Sequence, residues 1–280
     1  MASIAHQLMK ARVALAPVAK GNAALEARLL AAHAWDMSHE ALLLYGEHAR
    51  DVSALDALVA RRVEAEPVAQ ILGKKDFWKH SFYVSRDVLT PRADSETMIE
   101  TLLRLRPVSA APLRMLDLGT GSGCLILSAL HEYSNATGLG LDASVAALGI
   151  AANNAAALHL TARVEMRASD WCSAATKCFD VVLSNPPYIP TIDIAGLDAD
   201  VREYEPHRAL DGGADGLECY RIILQQLPPY LNAGALVLFE VGDSQADDVA
   251  ALGAAQGLEL KEIVKDLAGI PRVVALEYNR

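Results

Sequence analysis

Two short stretches of this 280-residue chain carry residue types and spacings suited to chemistry. The first, Asp117-Leu118-Gly119-Thr120-Gly121-Ser122-Gly123, follows an apolar run and precedes a helical pattern that starts near Cys124. Glycines at alternate positions allow a tight turn, let the backbone approach a ligand and turn helix N–H groups towards it. Asp142, at the end of the next strand-like run, is placed to accept hydrogen bonds from two ribose hydroxyls. The G-x-G-x-G spacing favours a nucleoside with a small tail over a dinucleotide pyrophosphate. No Gly-Lys-Ser/Thr follows, so this is no P-loop, and Thr120 at the first position of a G-x-S-x-G frame excludes a hydrolase elbow at Ser122.

The second stretch is Asn185-Pro186-Pro187-Tyr188, after the apolar run Val181-Val182-Leu183-Ser184. Two prolines stiffen the turn and leave carbonyls without a competing N–H. The Asn185 side-chain oxygen and the Pro186 carbonyl then suit the two N–H bonds of a planar NH₂ group, and Tyr188 offers a face for stacking. Alone, either stretch also reads as a Gly-rich loop with an unrelated Asp, or as a proline-rich turn with an incidental Asn. In an open α/β sheet both fall at the carboxyl ends of strands, where ligands bind.

The elements that must position these residues are legible in outline. The apolar fraction of 52% supplies a real core, and an Ala- and Leu-rich set with 5% aromatics favours an α/β architecture. Strand-like runs cover Arg114–Leu118, Thr137–Leu141, Arg163–Arg167, Phe179–Leu183, Ala235–Val241, Leu258–Val264 and Arg272–Tyr278, with helical patterns between most of them. This alternation predicts a mostly parallel, doubly wound sheet over residues 91–280. Residues 1–73 predict about five short helices without chemistry: an apolar stripe Leu25, Leu29, Ala32 and Trp35, a capping box from Ser53 to Asp56, and a turn opened by Pro67 and ended by Gly73. Residues 74–90 read as a β-hairpin connector, and Asp94 as the cap of a helix carrying Met98, Ile99, Leu102 and Leu103.

Charge narrows the partners. The net charge is −10; residues 1–90 carry 11 basic and 10 acidic side chains, residues 91–280 carry 14 and 25. Duplex nucleic acid is gripped by the opposite balance. Cys124, Cys172, Cys178 and Cys219 form no C-x-x-C pair and read as reduced thiols of a cytoplasmic protein. The eight histidines show no metal spacing, so no metal is expected. No run of 18 apolar residues suits a membrane span, and the N-terminus lacks the apolar stretch of a signal peptide.

The constellation resembles the class I S-adenosylmethionine-dependent amino-methyltransferases. Further stretches narrow the likeness: Glu66-Pro67-Val68-Ala69-Gln70-Ile71-Leu72-Gly73, Phe77-Trp78, Thr90-Pro91-Arg92-Ala93-Asp94-Ser95-Glu96-Thr97, Glu205-Pro206, Gly213-Ala214-Asp215-Gly216-Leu217 and Lys265-Asp266-Leu267-Ala268-Gly269. Together they are similar to the HemK/PrmC family, the peptide chain release factor glutamine N5-methyltransferases. The likeness runs from about Glu66 to the C-terminus. Ala93 and Ile270-Pro271 depart from the family's usual residues at those places.

The resemblance implies a Rossmann-like class I methyltransferase fold, S-adenosylmethionine as methyl donor, and a glutamine in the GGQ loop of release factors as substrate, hence a role in translation termination. Gly119, Thr120, Gly121, Ser122 and Gly123 would hold the methionine part, Asp142 the ribose and Trp171 the adenine; a half-buried core Trp is the plain alternative for Trp171. Asn185, Pro186, Pro187 and Tyr188 would orient the amide, with the stretch Arg92 to Thr97 lining the pocket near the methionine and that amide. Residues 1–73 would recognise the protein substrate. Other readings are a glutamine methyltransferase of a ribosomal protein, a DNA adenine N6-methyltransferase, which the acidic C-terminal part disfavours, and a non-enzymatic nucleotide-binding protein, which leaves Asn185–Tyr188 unexplained.

Overall fold

The computed structural model describes residues 2–107 and 111–279. They form two compact units: Met1–Lys74 with Asp198–Tyr204, and Lys75–Leu197 with Glu205–Arg280.

The first unit is helical. A two-residue strand β1 (Ala2–Ser3) pairs with β2 (Ala49–Arg50), and five helices follow one another: α1 (Ile4–Leu15), α2 (Ala23–Trp35), α3 (His39–Leu44), α4 (Ser53–Val63) and α5 (Val68–Leu72). Their core joins Ile4, Leu15, Leu30, Leu42, Leu55 and Ile71. The stripe expected on α2 is rotated. Ala23, Ala27, Leu30 and Ala31 are buried, whereas Leu25 is 45% exposed. Small alanines let α1 and α4 approach α2 closely, and leucine spacing alone did not reveal that face. Nor does Ser53 form a capping box: Asp51 accepts from its N–H at 3.1 Å and its hydroxyl at 2.8 Å, and Asp56 pairs with Lys10 at 3.0 Å. Gly73, at φ +69°, ends α5 in the left-handed conformation that a side chain resists. The segment Asp198–Tyr204, containing the short helix α9 (Ala199–Arg202), completes this unit. Lys20 pairs with Asp198 and, at 3.6 Å, with Asp200; Gln70 Nε2 donates to the Tyr204 carbonyl at 2.9 Å, and the Tyr204 hydroxyl donates to the Glu64 carbonyl at 2.8 Å.

In the second unit a hairpin, β3 (Lys74–Phe77) and β4 (His80–Tyr83), precedes a seven-stranded sheet. Its strands are β5 (Arg114–Leu118), β6 (Thr137–Asp142), β7 (Val164–Ala168), β8 (Phe179–Ser184), β9 (Leu231–Glu240), β10 (Leu258–Lys265) and β11 (Pro271–Tyr278), in the order β10-β11-β9-β8-β5-β6-β7. All neighbours from β9 to β7 run parallel, while β11 is antiparallel to both β9 and β10. This is the doubly wound sheet that the strand–helix alternation predicts.

Strand side chains alternate between the two faces, and near-continuous apolar runs make both faces apolar. Leu116, Leu118, Val182, Val237 and Phe239 pack in one layer with α10 (Glu218–Gln226) and α11 (Ala246–Ala255); Met115, Val181, Leu183, Leu236 and Leu238 pack in the other with α6 (Glu96–Leu105) and α7 (Cys124–Glu132). Helix α8 (Val145–Ala157) covers β6 and β7. Asp94 does not cap α6. It lies in the 3-10 turn Ala93–Ser95, which enters the helix without a side-chain cap, and its exposed carboxylate lies 3.9 Å from Arg272.

Candidate active site

The carboxyl ends of β5, β6, β7 and β8 open into one cavity of about 230 Å³, whose wall includes Gly119–Ser122, Asp142, Trp171, Asn185 and Pro187. Thus the two chemistry-bearing stretches meet where strand order reverses between β5 and β8. The two strands pair in parallel up to Leu118 and Ser184, and Ser184 Oγ also donates to the Leu118 carbonyl at 2.8 Å.

The glycine loop is held from several sides. Gly119, Gly121 and Gly123 have φ of +72°, +54° and +80°, which only glycine adopts without strain. Asp142 accepts from Gly121 N–H at 2.9 Å through Oδ2 and from Ser144 N–H at 2.8 Å through Oδ1. Each carboxylate oxygen keeps further acceptor capacity. Asn154 of α8, fully buried, donates to the Ser122 carbonyl at 2.8 Å and ties the loop to Tyr83 of the hairpin. Beneath the loop, Thr120 Oγ1 donates to Asp117 Oδ2 at 2.8 Å. Burial nonetheless pushes the Asp117 carboxyl up to about 7.

Trp171 faces the cavity from an unusual backbone. Its φ of +47° is rare for a bulky residue and marks local strain. Ser169 Oγ donates to the Trp171 carbonyl at 2.6 Å and Gln226 Oε1 accepts from Cys172 N–H at 3.0 Å, so neighbours on both sides hold the bend.

The Asn185–Tyr188 turn rests on the loop Asp211–Gly216. Ile189 N–H donates to Leu210 and Gly212 N–H to Ile189, and Gln245 Nε2 donates to the Tyr188 carbonyl at 2.9 Å. A Cβ at Gly212 would come within 2.7 Å of Tyr188 Cα, so backbone packs directly on backbone there. Asn185 and Pro187 line the cavity; Pro186, which is buried, and Tyr188 are not on its wall, and the half-buried Tyr188 ring packs against the core and beside Gly242. Burial pushes the Tyr188 hydroxyl up to about 12, leaving it a neutral phenol.

Arg92 and Thr97 part company. Arg92 lines the cavity and pairs with Glu205, whereas Thr97 lies in the first turn of α6, buried away from it, its carbonyl accepting from Thr101 Oγ1 at 2.7 Å. Cys124 and Cys219 also line the cavity, but burial pushes their thiols up to about 12 and about 11, so neither is a thiolate nucleophile at neutral pH. Among the described residues no cluster of His, Cys, Asp or Glu suits a metal ion, and no helix is long and apolar enough to cross a membrane.

Sequence reading missed Asn154 and Glu240. The latter ends an apolar strand beside the strand-order reversal, and an acidic residue in that place was the available signal.

Known proteins match over both units. The Methyltransferase small domain model matches residues 94–195, and the PrmC N-terminal domain model matches residues 6–73. A methyltransferase from Pyrococcus furiosus superposes with a TM-score of 0.53 at 16% identity, over 71% of this chain and 89% of that one, which shows a shared fold. The release factor glutamine methyltransferase of Rhodospirillum rubrum is 44% identical over 88% of this chain and 76% of its own. That of Agrobacterium fabrum is 38% identical over 98% of this chain and 96% of its own. At that identity and coverage, the chain belongs to the release factor glutamine methyltransferase family.

Proposed function

We propose that this protein transfers the methyl group of S-adenosylmethionine to the side-chain amide nitrogen (N5) of a glutamine in the GGQ loop of peptide chain release factors, in the cytoplasm, and so modulates translation termination. The observation that carries this reading is the meeting of Asn185 and Pro187 with the glycine loop and Asp142 around one cavity, in a chain of this family.

The residues fit the methyl donor. Gly119 and Gly121 expose backbone without side chains, Asp142 is oriented by two N–H bonds with acceptor capacity to spare, and Trp171 supplies an aromatic wall. In this reading Gly119–Gly123 hold the methionine part, Asp142 the ribose hydroxyls and Trp171 the adenine. When bound, S-adenosylmethionine supplies an electrophilic methyl group on a sulfonium.

A carboxamide nitrogen shares its lone pair with the carbonyl and is a poor nucleophile. Asn185 Oδ1 and the Pro186 carbonyl each accept one N–H of the substrate amide, and Tyr188 stacks on its plane. The lone pair is thereby held at a right angle to that plane, aimed along the line of attack. Orientation of this kind lowers barriers by roughly 7–11 kcal/mol. The same acceptors stabilise positive charge growing on nitrogen, by about 3–4 kcal/mol per well-placed partner in comparable sites. The proton then leaves to water.

A flexible loop offers few contacts at the cavity, so affinity for the release factor comes from elsewhere on the enzyme. Residues 1–73, near neutral and without chemistry, are the segment assigned to that recognition. Labelled S-adenosylmethionine with release factor, ribosomes or DNA tests the whole reading. Label is expected in the release factor glutamine; label in DNA or a ribosomal protein instead would overturn it.

A further inference from the structure

Next to Asn185 lies a buried polar cluster, including Ser95 of the cavity wall, that the reaction as described leaves unused. Glu240 ends β9 at 2% exposure, and its Oε2 has no hydrogen-bond partner among the described residues. Asn185 Nδ2 lies 3.5 Å from Ser95 Oγ, and hydrogen bonding from both side chains favours the charged form of this carboxyl. The Tyr220 hydroxyl donates to the Glu240 carbonyl at 2.7 Å and fixes the strand end. Resting on the glutamine-amide reading above, we propose that Glu240 is a positioning residue that decides which end of the Asn185 carboxamide faces the substrate.

An asparagine carboxamide has two ends of nearly equal shape and opposite polarity. The reaction needs Oδ1 at the cavity; with Nδ2 there, the substrate NH₂ meets donor with donor. A carboxylate only accepts hydrogen bonds, so Glu240 admits only the Nδ2 end, and Ser95 Oγ is a second acceptor on the same side. Both Nδ2 hydrogens are then directed inwards and Oδ1 is left to the cavity.

The charged form of Glu240 is what makes the selection. Burial pushes its carboxyl up to about 7; the Ser95 and Asn185 hydrogen bonds and the Arg272 charge from β11 pull it down, and Asp94 from the 3-10 turn pushes it up. Tyr188, from the loop after β8, and Tyr220, from α10, face it as neutral phenols. A protonated carboxyl brings an O–H donor that competes for Oδ1. The selection therefore weakens as pH falls through neutrality.

The test is full-length Glu240→Gln beside the wild type, assayed on a release factor with saturating S-adenosylmethionine from pH 5.5 to 9. The glutamine amide offers both a donor and an acceptor, so Asn185 loses its preference. Expected at pH 8 is a fall in kcat of about tenfold or more, with S-adenosylmethionine affinity within about twofold by calorimetry and Tm not lowered. The wild-type rise in kcat through neutral pH is expected to vanish in the variant. Ser95→Ala should lower kcat several-fold with the same unchanged affinity.

Wild-type kcat and pH profile in Glu240→Gln would overturn the proposal, as would a rate loss matched by equal losses of affinity and Tm. Should Glu240→Gln prove insoluble, unchanged kcat in Ser95→Ala overturns it. If the wild type labels no release factor, the parent reading fails instead. The orientation is then read from the Asn185 side-chain NH₂ resonances: protected and titrating near pH 7 supports the proposal, solvent-exchanging and flat in pH refutes it.

Discussion

Arg92 and Glu205, 113 positions apart, meet at 2.7 Å beside the cavity, with the guanidinium 42% exposed and the carboxylate side chain 1% exposed. Thr90 N–H donates to the same carboxylate at 3.4 Å, so Glu205 gathers the loop Thr90–Arg92 into the cavity wall. Removing the arginine leaves a buried charge with one partner fewer. Fully buried pairs lose about 3–5 kcal/mol in this way, and the exposure of Arg92 reduces that to about 1–2 kcal/mol. Arg92→Ala is expected to lower Tm by roughly 2–6 °C, measured by calorimetry, and an unchanged Tm would show the pair to be idle.

Asp142→Ala removes the acceptors assigned to the ribose and also the partners of Gly121 and Ser144. Charge-assisted hydrogen bonds contribute about 1.5–3 kcal/mol each. S-adenosylmethionine affinity should fall tenfold or more by titration calorimetry. Unchanged affinity would remove Asp142 from the site.

Asn185→Ala should lose nearly all methyl transfer while the fold survives. The turn is held by backbone bonds of Ile189 and Gly212 and by Gln245, none of which needs the Asn185 side chain. Single-turnover rates at saturating cofactor check this, and near-wild-type turnover would contradict the orienting role.

Asp117 and Glu240, both pushed up to about 7, give the fold a pH dependence of defined sign. The folded protein keeps protons on them that the unfolded chain has lost above about pH 4–5. Their effect is therefore a stability that declines as pH rises from there to about 7 and is level beyond. A carboxyl whose pKa is one higher when folded changes stability by about 1.4 kcal/mol. Asp117→Asn and Glu240→Gln should each flatten the fall in Tm between pH 5 and 8, measured on the free enzyme. A slope equal to that of the wild type in both variants would refute this.

Deleting residues 1–73 tests the recognition role. The remaining chain should bind S-adenosylmethionine within a few-fold of the whole protein and methylate intact release factor at least tenfold less efficiently. Full efficiency would remove the helical unit from recognition.

What was legible in the sequence was local. The glycine loop, Asp142 and Asn185–Tyr188 announce themselves because each depends on a few adjacent residues at a strand end. Strand positions followed for the same reason, from short apolar runs separated by helical patterns. The cluster next to Asn185 did not, since Ser95, Glu240 and Arg272 come from a 3-10 turn, β9 and β11 and meet only once the sheet is assembled. The buried face of α2 was misread because alanine contributes little to an apolar stripe yet decides how closely helices pack. Thr97 stands near Arg92 in sequence, but the start of α6 between them turns it elsewhere.

The helical unit has a consequence for synthesis on the ribosome. Its last piece, Asp198–Tyr204, is made only after the 123 residues from 75 to 197. At about 5–20 residues per second, that is a wait of roughly 6–25 s. During it, Lys20, Gln70 and the Glu64 carbonyl stand without the partners they have in the finished protein. The part of the chain that emerges first is thus completed only once residue 204 has been made, and it cannot reach its final form as an independent N-terminal fragment.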